Sequence, residues 1–164
     1  MDKRWMRIGG WVLVGAVLSG CALRSPWNRD QTVLVADAGV AINCPASGPE
    51  PWVREFPTLD AVRTWQVEQG LELLTPGAEA GRYAVVGMGQ RNTGGYGIAV
   101  SREATLAERV LRLKATFVAP SGGGMTTQMF TSPCALVRLP RDAAWQTLQV
   151  YDQTGRLRVT LASP

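Results

Sequence analysis

The hydrophobic positions of this chain change their period near residue 82. Upstream, 58–70 carries helical spacing: Leu59, Val62 and Trp65 share a face, as do Ala61 and Trp65. Thr58 can cap the start, Asp60 sits in the first turn and Gly70 can close the end. Downstream the period is two. The continuous apolar run 83–88 reads as a buried strand, and Tyr96, Ile98 and Val100 alternate after a glycine-rich turn. Leu111, Leu113, Ala115 and Phe117 point one way while Arg112, Lys114 and Thr116 point the other, as in a strand with one face in a core. Short strands follow at 125–130 and 135–139. Leu148 and Val150 then pair with Leu157, Val159 and Leu161 across Asp152, Gln153, Thr154 and Gly155, where Gly155 can take a positive φ. Nearer the start, 32–42 reads as one strand, and 43–51, with Pro45, Gly48, Pro49 and Pro51, as a loop. Many short strands and one helix predict a mainly β fold, an antiparallel β-sandwich or partly open barrel with one packed helix. The pattern leaves strand order open.

The first residues are of a different kind. Lys3, Arg4 and Arg7 precede an apolar segment, 8–20, that ends in the small residues Ser19 and Gly20, the composition of a secretory signal peptide. An uncleaved spanning helix would need roughly 20 apolar residues, more than this segment holds. Leu18, Ser19, Gly20 and Cys21 together resemble the lipobox of bacterial lipoproteins. That resemblance implies cleavage after residue 20, acyl chains on Cys21 and a lipid anchor in the bacterial cell envelope, since two anchoring signals already hold a protein on a bilayer stably. Ala22, where Asp would favour the inner membrane, points to the outer membrane and its periplasmic face. The expected organisation is a signal peptide over 1–20, a polar tether over 21–31 and a single β-rich domain over 32–164, long enough to bury a core.

Composition narrows the chemistry. The chain has no histidine, which removes Ser-His-Asp and Cys-His catalysis and His-ligated zinc. Lys114 is the one lysine outside the signal, on an outward strand position, and Glu103 and Glu108 flank an expected loop as solvated charges. No cofactor, metal site or catalytic residue is expected, and the protein reads as a non-enzyme. Lys3, Arg4, Arg7 and Asp2 account for half of the net charge of +4. The remaining arginines are scattered among acids, which does not suit nucleic acid. With Cys21 acylated, Cys44 and Cys134 remain. In an oxidising compartment they form an internal disulfide, unless they stay as buried thiols or bond another chain.

Two loops stand out, one carrying Asn92, Thr93, Gly94, Gly95 and Tyr96, the other Gly122, Gly123, Gly124, Met125 and Thr126. The plain account is a tight reversal and a flexible connector. Neither has the ending of a phosphate-binding loop. As contact loops they would offer a large aromatic surface at low entropy cost in Tyr96 and close backbone approach at the glycines. Tyr96 could equally serve the core.

The order of these features resembles the PrcB C-terminal domain over about 84–141. The shared pattern is a hydrophobic strand (Val85, Val86, Gly87), then Thr93, Gly94, Gly95 and Tyr96, an alternating strand from Leu111 to Pro120, and Met125, Thr126, Thr127 and Gln128. Thr131, Ser132 and Pro133 then lead into a strand ending in Leu139, Pro140 and Arg141. The family carries an aromatic after Ser-Pro where this chain has Cys134, so a cross-link to Cys44 would replace aromatic packing. The resemblance implies a non-catalytic accessory or protein-binding subunit whose envelope partner is, for instance, a protease complex. Contacts would come from Asn92, Thr93, Gly94, Gly95, Tyr96, Gly123, Gly124, Met125 and Thr126. Two alternatives remain open. One is a protease inhibitor, since Asn92 to Tyr96 faintly resembles the Thr-Gly loop of chagasin-type inhibitors, although their Arg-Pro-Trp element is missing. The other is a structural envelope lipoprotein with no dedicated partner.

Overall fold

The structure is a computed structural model that describes residues 30–121 and 127–162. The signal peptide, Cys21 and nearly all of the tether lie outside the described residues. Nine strands and one helix follow in order: β1 (Gln31–Leu34), β2 (Ala36–Ala41), β3 (Trp52–Phe56), α1 (Leu59–Glu68), β4 (Tyr83–Gly87), β5 (Gly97–Ala107), β6 (Val110–Val118), β7 (Cys134–Arg138), β8 (Thr147–Tyr151) and β9 (Leu157–Ala162). They form a five-stranded sheet, β1-β5-β6-β8-β9, and a four-stranded sheet, β2-β7-β4-β3. The fold is a mainly β sandwich with one packed helix and no closed barrel.

Alternation builds the layer between the sheets. Leu111, Leu113, Ala115 and Phe117 of β6 and Leu148 and Val150 of β8 meet Ala84, Val86, Ala135 and Val137 from the opposite sheet. Each large apolar side chain so buried contributes about 1.5–3 kcal/mol. The run 83–88 is apolar throughout because β4 is covered on both faces. Ala84 and Val86 face the sandwich, whereas Tyr83 and Val85 face Leu59, Val62 and Trp65 of α1. The Thr58 hydroxyl accepts from the Ala61 amide at 3.1 Å and caps the helix. Past its end, Gly70 takes φ +63°.

Four expectations need correction. The strand expected at 32–42 is two strands, because Val35 is buried at the crossing point and the chain passes there from one sheet to the other. No strand covers 127–130: the segment's bonds go to the 91–94 turn, with Gly94 donating to Thr127 and Arg91 exchanging bonds with Thr131, and not to a sheet. The loop expected between Glu103 and Glu108 shrinks to a turn at Glu108 and Arg109, both at positive φ, because β5 continues through Glu103 with a bulge. Finally, β6 and β8 run parallel, since the chain crosses to the other sheet as β7 between them. The final hairpin, β8 with β9, forms as expected, with Gly155 at φ +79°.

Candidate functional site

One end of the sandwich carries the first of the two loops singled out in the sequence. The segment 91–96, between β4 and β5, lies against 127–131, which leads into β7. Arg91 and Thr131 form an antiparallel bridge: the Arg91 amide donates to the Thr131 carbonyl at 2.7 Å, and the Thr131 amide returns a bond at 3.0 Å. The buried Thr131 hydroxyl donates to the Thr93 carbonyl at 3.0 Å, and the Gly94 amide donates to the Thr127 carbonyl at 2.9 Å. Four hydrogen bonds thus fasten 91–94 to 127–131, two of them at Thr93 and Gly94 of the Thr-Gly-Gly-Tyr turn.

The two glycines have separate reasons. A Cβ at the buried Gly94 would stand 2.3 Å from Thr127 Oγ1, so the missing side chain leaves room for the Thr127 hydroxyl in its present position. Gly95 takes φ +85°, a left-handed conformation that costs other residues 1–2 kcal/mol or so. Tyr96 is half-buried. Its ring packs against the sandwich core, and the Arg91 guanidinium lies 5.7 Å from its centroid. One Arg91 Nη donates to the Met88 carbonyl at 2.7 Å, while its buried Nε has no partner among the described residues. Tyr96 is therefore both a core residue and a partly exposed face, and Asn92 and Gly95 are the exposed points of the turn.

Cys44 and Cys134 are bonded, with Cα atoms 6.0 Å apart. The disulfide fastens 42–44 to the same end. The Cys44 amide donates to the Ser132 carbonyl and the Ser132 amide to Ile42, both at 2.9 Å, and the Ser132 hydroxyl donates to the Cys44 carbonyl. Beside this anchored backbone two large apolar residues stand in solvent, Met129 at 48% and Phe130 at 66% exposure. They were hidden in the sequence by the strand expected at 125–130. The signal that could have found them is Thr131, Ser132 and Pro133, which leave the apolar pair outside β7. Of the proposed contact residues, Asn92, Thr93, Gly94, Gly95 and Tyr96 are brought together here. Gly123, Gly124, Met125 and Thr126 lie outside the described residues.

Chemically the end is a hydrogen-bonded loop surface with one cation, Arg91, and two exposed apolar side chains, Met129 and Phe130. Among the described residues no group of His, Cys, Asp and Glu is placed to hold a metal, and no helix is long and apolar enough to cross a membrane. The most constrained carboxylate lies elsewhere, at the β8–β9 turn. Asp152 Oδ1 accepts from the Thr154 hydroxyl and from the Thr154 and Arg156 amides, and Oδ2 accepts from Arg158. Thr154 chiefly, against the opposing effect of burial, holds its pKa down at about 2.

Fold and site together define a small two-sheet β-sandwich with a helix on one sheet and a cross-linked loop platform at one end. Its centre, from β4 to the end of β7, is similar to the PrcB C-terminal family, whose model matches residues 82–140, in line with the resemblance over 84–141. No curated protein and no solved structure matches the chain.

Proposed function

We propose that this protein is a lipid-anchored envelope subunit that binds another protein without catalysis, as an accessory of a protease complex. The observation that carries the reading is the platform at the loop end. Its Thr-Gly-Gly-Tyr turn is fastened to 127–131 by two hydrogen bonds, with two more at the neighbouring Arg91, next to the exposed Met129 and Phe130. Large apolar residues beside a rigid polar backbone are what protein interfaces use as anchors, and a surface already ordered loses little entropy on binding. The family match supports association with a protease complex.

In this reading Cys21 carries the acyl chains, 21–31 is the tether and 32–164 is the domain, held at the periplasmic face of the outer membrane. Asn92, Thr93 and Tyr96 contact the partner together with Phe130, and Gly123, Gly124, Met125 and Thr126, outside the described residues, remain further candidates from the sequence.

The test is cross-linking in intact cells, gentle solubilisation, capture of the tagged protein and mass spectrometry. One enriched partner, lost when Thr93 or Phe130 is changed to Asp in a protein that keeps its melting temperature, is the expected result. Recovery of abundant envelope proteins alone would overturn the reading in favour of a structural lipoprotein.

A further inference from the structure

β5 is covered along only half of one edge. β1 is four residues long and pairs with 103–106 of β5. One more bond, from the Val35 amide to the Arg102 carbonyl at 2.9 Å, ends that contact as the chain leaves for the other sheet. On this side 97–101 has no strand beside it among the described residues.

The direction of its backbone groups follows from β6. The Phe117 amide donates to Gln153 Oε1 at 3.0 Å and Gln153 Nε2 donates to the Phe117 carbonyl at 3.2 Å, so the Phe117 backbone faces away from β5. Phe117 is in register with Ile98. Opposed residues in an antiparallel ladder alternate between exchanging both bonds and exchanging none. Ile98 therefore turns its N–H and C=O away from β6, and so does Val100 two residues on. The bonded carbonyl of Arg102 continues the same alternation. Two donors and two acceptors face the open flank of the sandwich.

The flank is a concavity in which Gly97 and Ile98 face Val40, Ile42, Leu71 and Pro133. Val40 and Ile42, in and just after the edge strand β2, are 61% and 60% exposed. Edge strands are usually blunted by charge, proline or a covering segment. β3, another edge, has Pro51 and Pro57 at its ends and Arg54 and Glu55 within it. The 97–101 edge consists of Gly, Ile, Ala, Val and Ser and has none of these devices.

We propose that an extended segment of the protein partner adds to β5 as a further strand, in line with β1. It would bond Ile98 and Val100 and lay alternate apolar side chains on Val40 and Ile42. The proposal rests on the accessory-subunit reading and gives the partner's contact a form. Within the described residues β1 stops short of this stretch: Leu34 is in register with Glu103 and Val35 leaves for the other sheet.

The probe is a phage-displayed library of linear 12-residue peptides selected on the immobilised full chain, followed by residue-resolved amide exchange. In the free chain the Ile98 and Val100 amides should exchange about tenfold or more faster than Ala99, which β6 holds. Bound peptide should slow both by a similar factor, and Val100→Pro, which removes an outward N–H, should weaken binding by about tenfold. If Val100→Pro does not fold, exchange on the unchanged chain decides alone. Protection of both amides in the free dilute chain would mean that the chain covers its own edge. Protection that grows with protein concentration would mean that a second copy does. Either result, or peptides that bind without protecting these amides, or no enriched peptide, would overturn the proposal. A partner captured through Thr93 and Phe130 with Ile98 and Val100 still exchanging freely would remove strand addition and leave the accessory reading standing.

Discussion

Gly94 bears the closest contact of the platform. A Cβ there would clash with the Thr127 hydroxyl, so Gly94→Ala must turn that side chain aside or displace 127–131. Overpacking of this kind costs about 1–3 kcal/mol, and a lowered melting temperature that Thr127→Ala relieves is the expected result; an unchanged melting temperature would show that the Gly94–Thr127 contact is not tight. The Asp152 carboxylate makes a pH prediction. Its pKa of about 2 in the folded protein lies below the ordinary 3.8, so its contribution to stability is complete above about pH 4 and fades as pH falls towards 2. Thermal melts between pH 4 and 2 should show a loss that is smaller in Asp152→Asn, and an identical slope in both proteins would refute the assignment.

At the level of elements, the disulfide carries the largest single prediction. Cys44 and Cys134 are 90 positions apart, and closing such a loop is worth about 4–5 kcal/mol in the chain-entropy picture. The Cys44→Ser, Cys134→Ser double variant should melt far lower in denaturant titration, and a loss under 1 kcal/mol or so would mean that the unfolded chain is already constrained. The thiols were readable as a pair because only two remained after Cys21. The alternation of β6, the capped helix and the last hairpin were equally legible, since each shows its own period. What stayed hidden depended on neighbours. The β1–β2 break is invisible because Val35 continues the apolar alternation while the chain changes sheets. β3 escaped because Arg54 and Glu55 interrupt a five-residue strand between two prolines. A strand at 125–130 was a fair reading of local propensity, and its described part, 127–130, is not a strand because its bonds go to the 91–94 turn. The same error concealed Met129 and Phe130, which only the fold exposes.

For the whole molecule the account joins an anchor, a tether and a sandwich whose loop end meets a partner. Cys21→Ser should move the protein from the membrane to the soluble fraction, and retention on membranes after that change would remove the anchor from the account. The contact itself is tested most directly by placing a photo-cross-linking amino acid at Met129 in living cells, with Val67, exposed at 77% on α1, as the control position. The account predicts one dominant adduct from position 129, lost with Thr93→Asp, and none from position 67. Equal adducts from both positions, or an adduct from 67 alone, would contradict it.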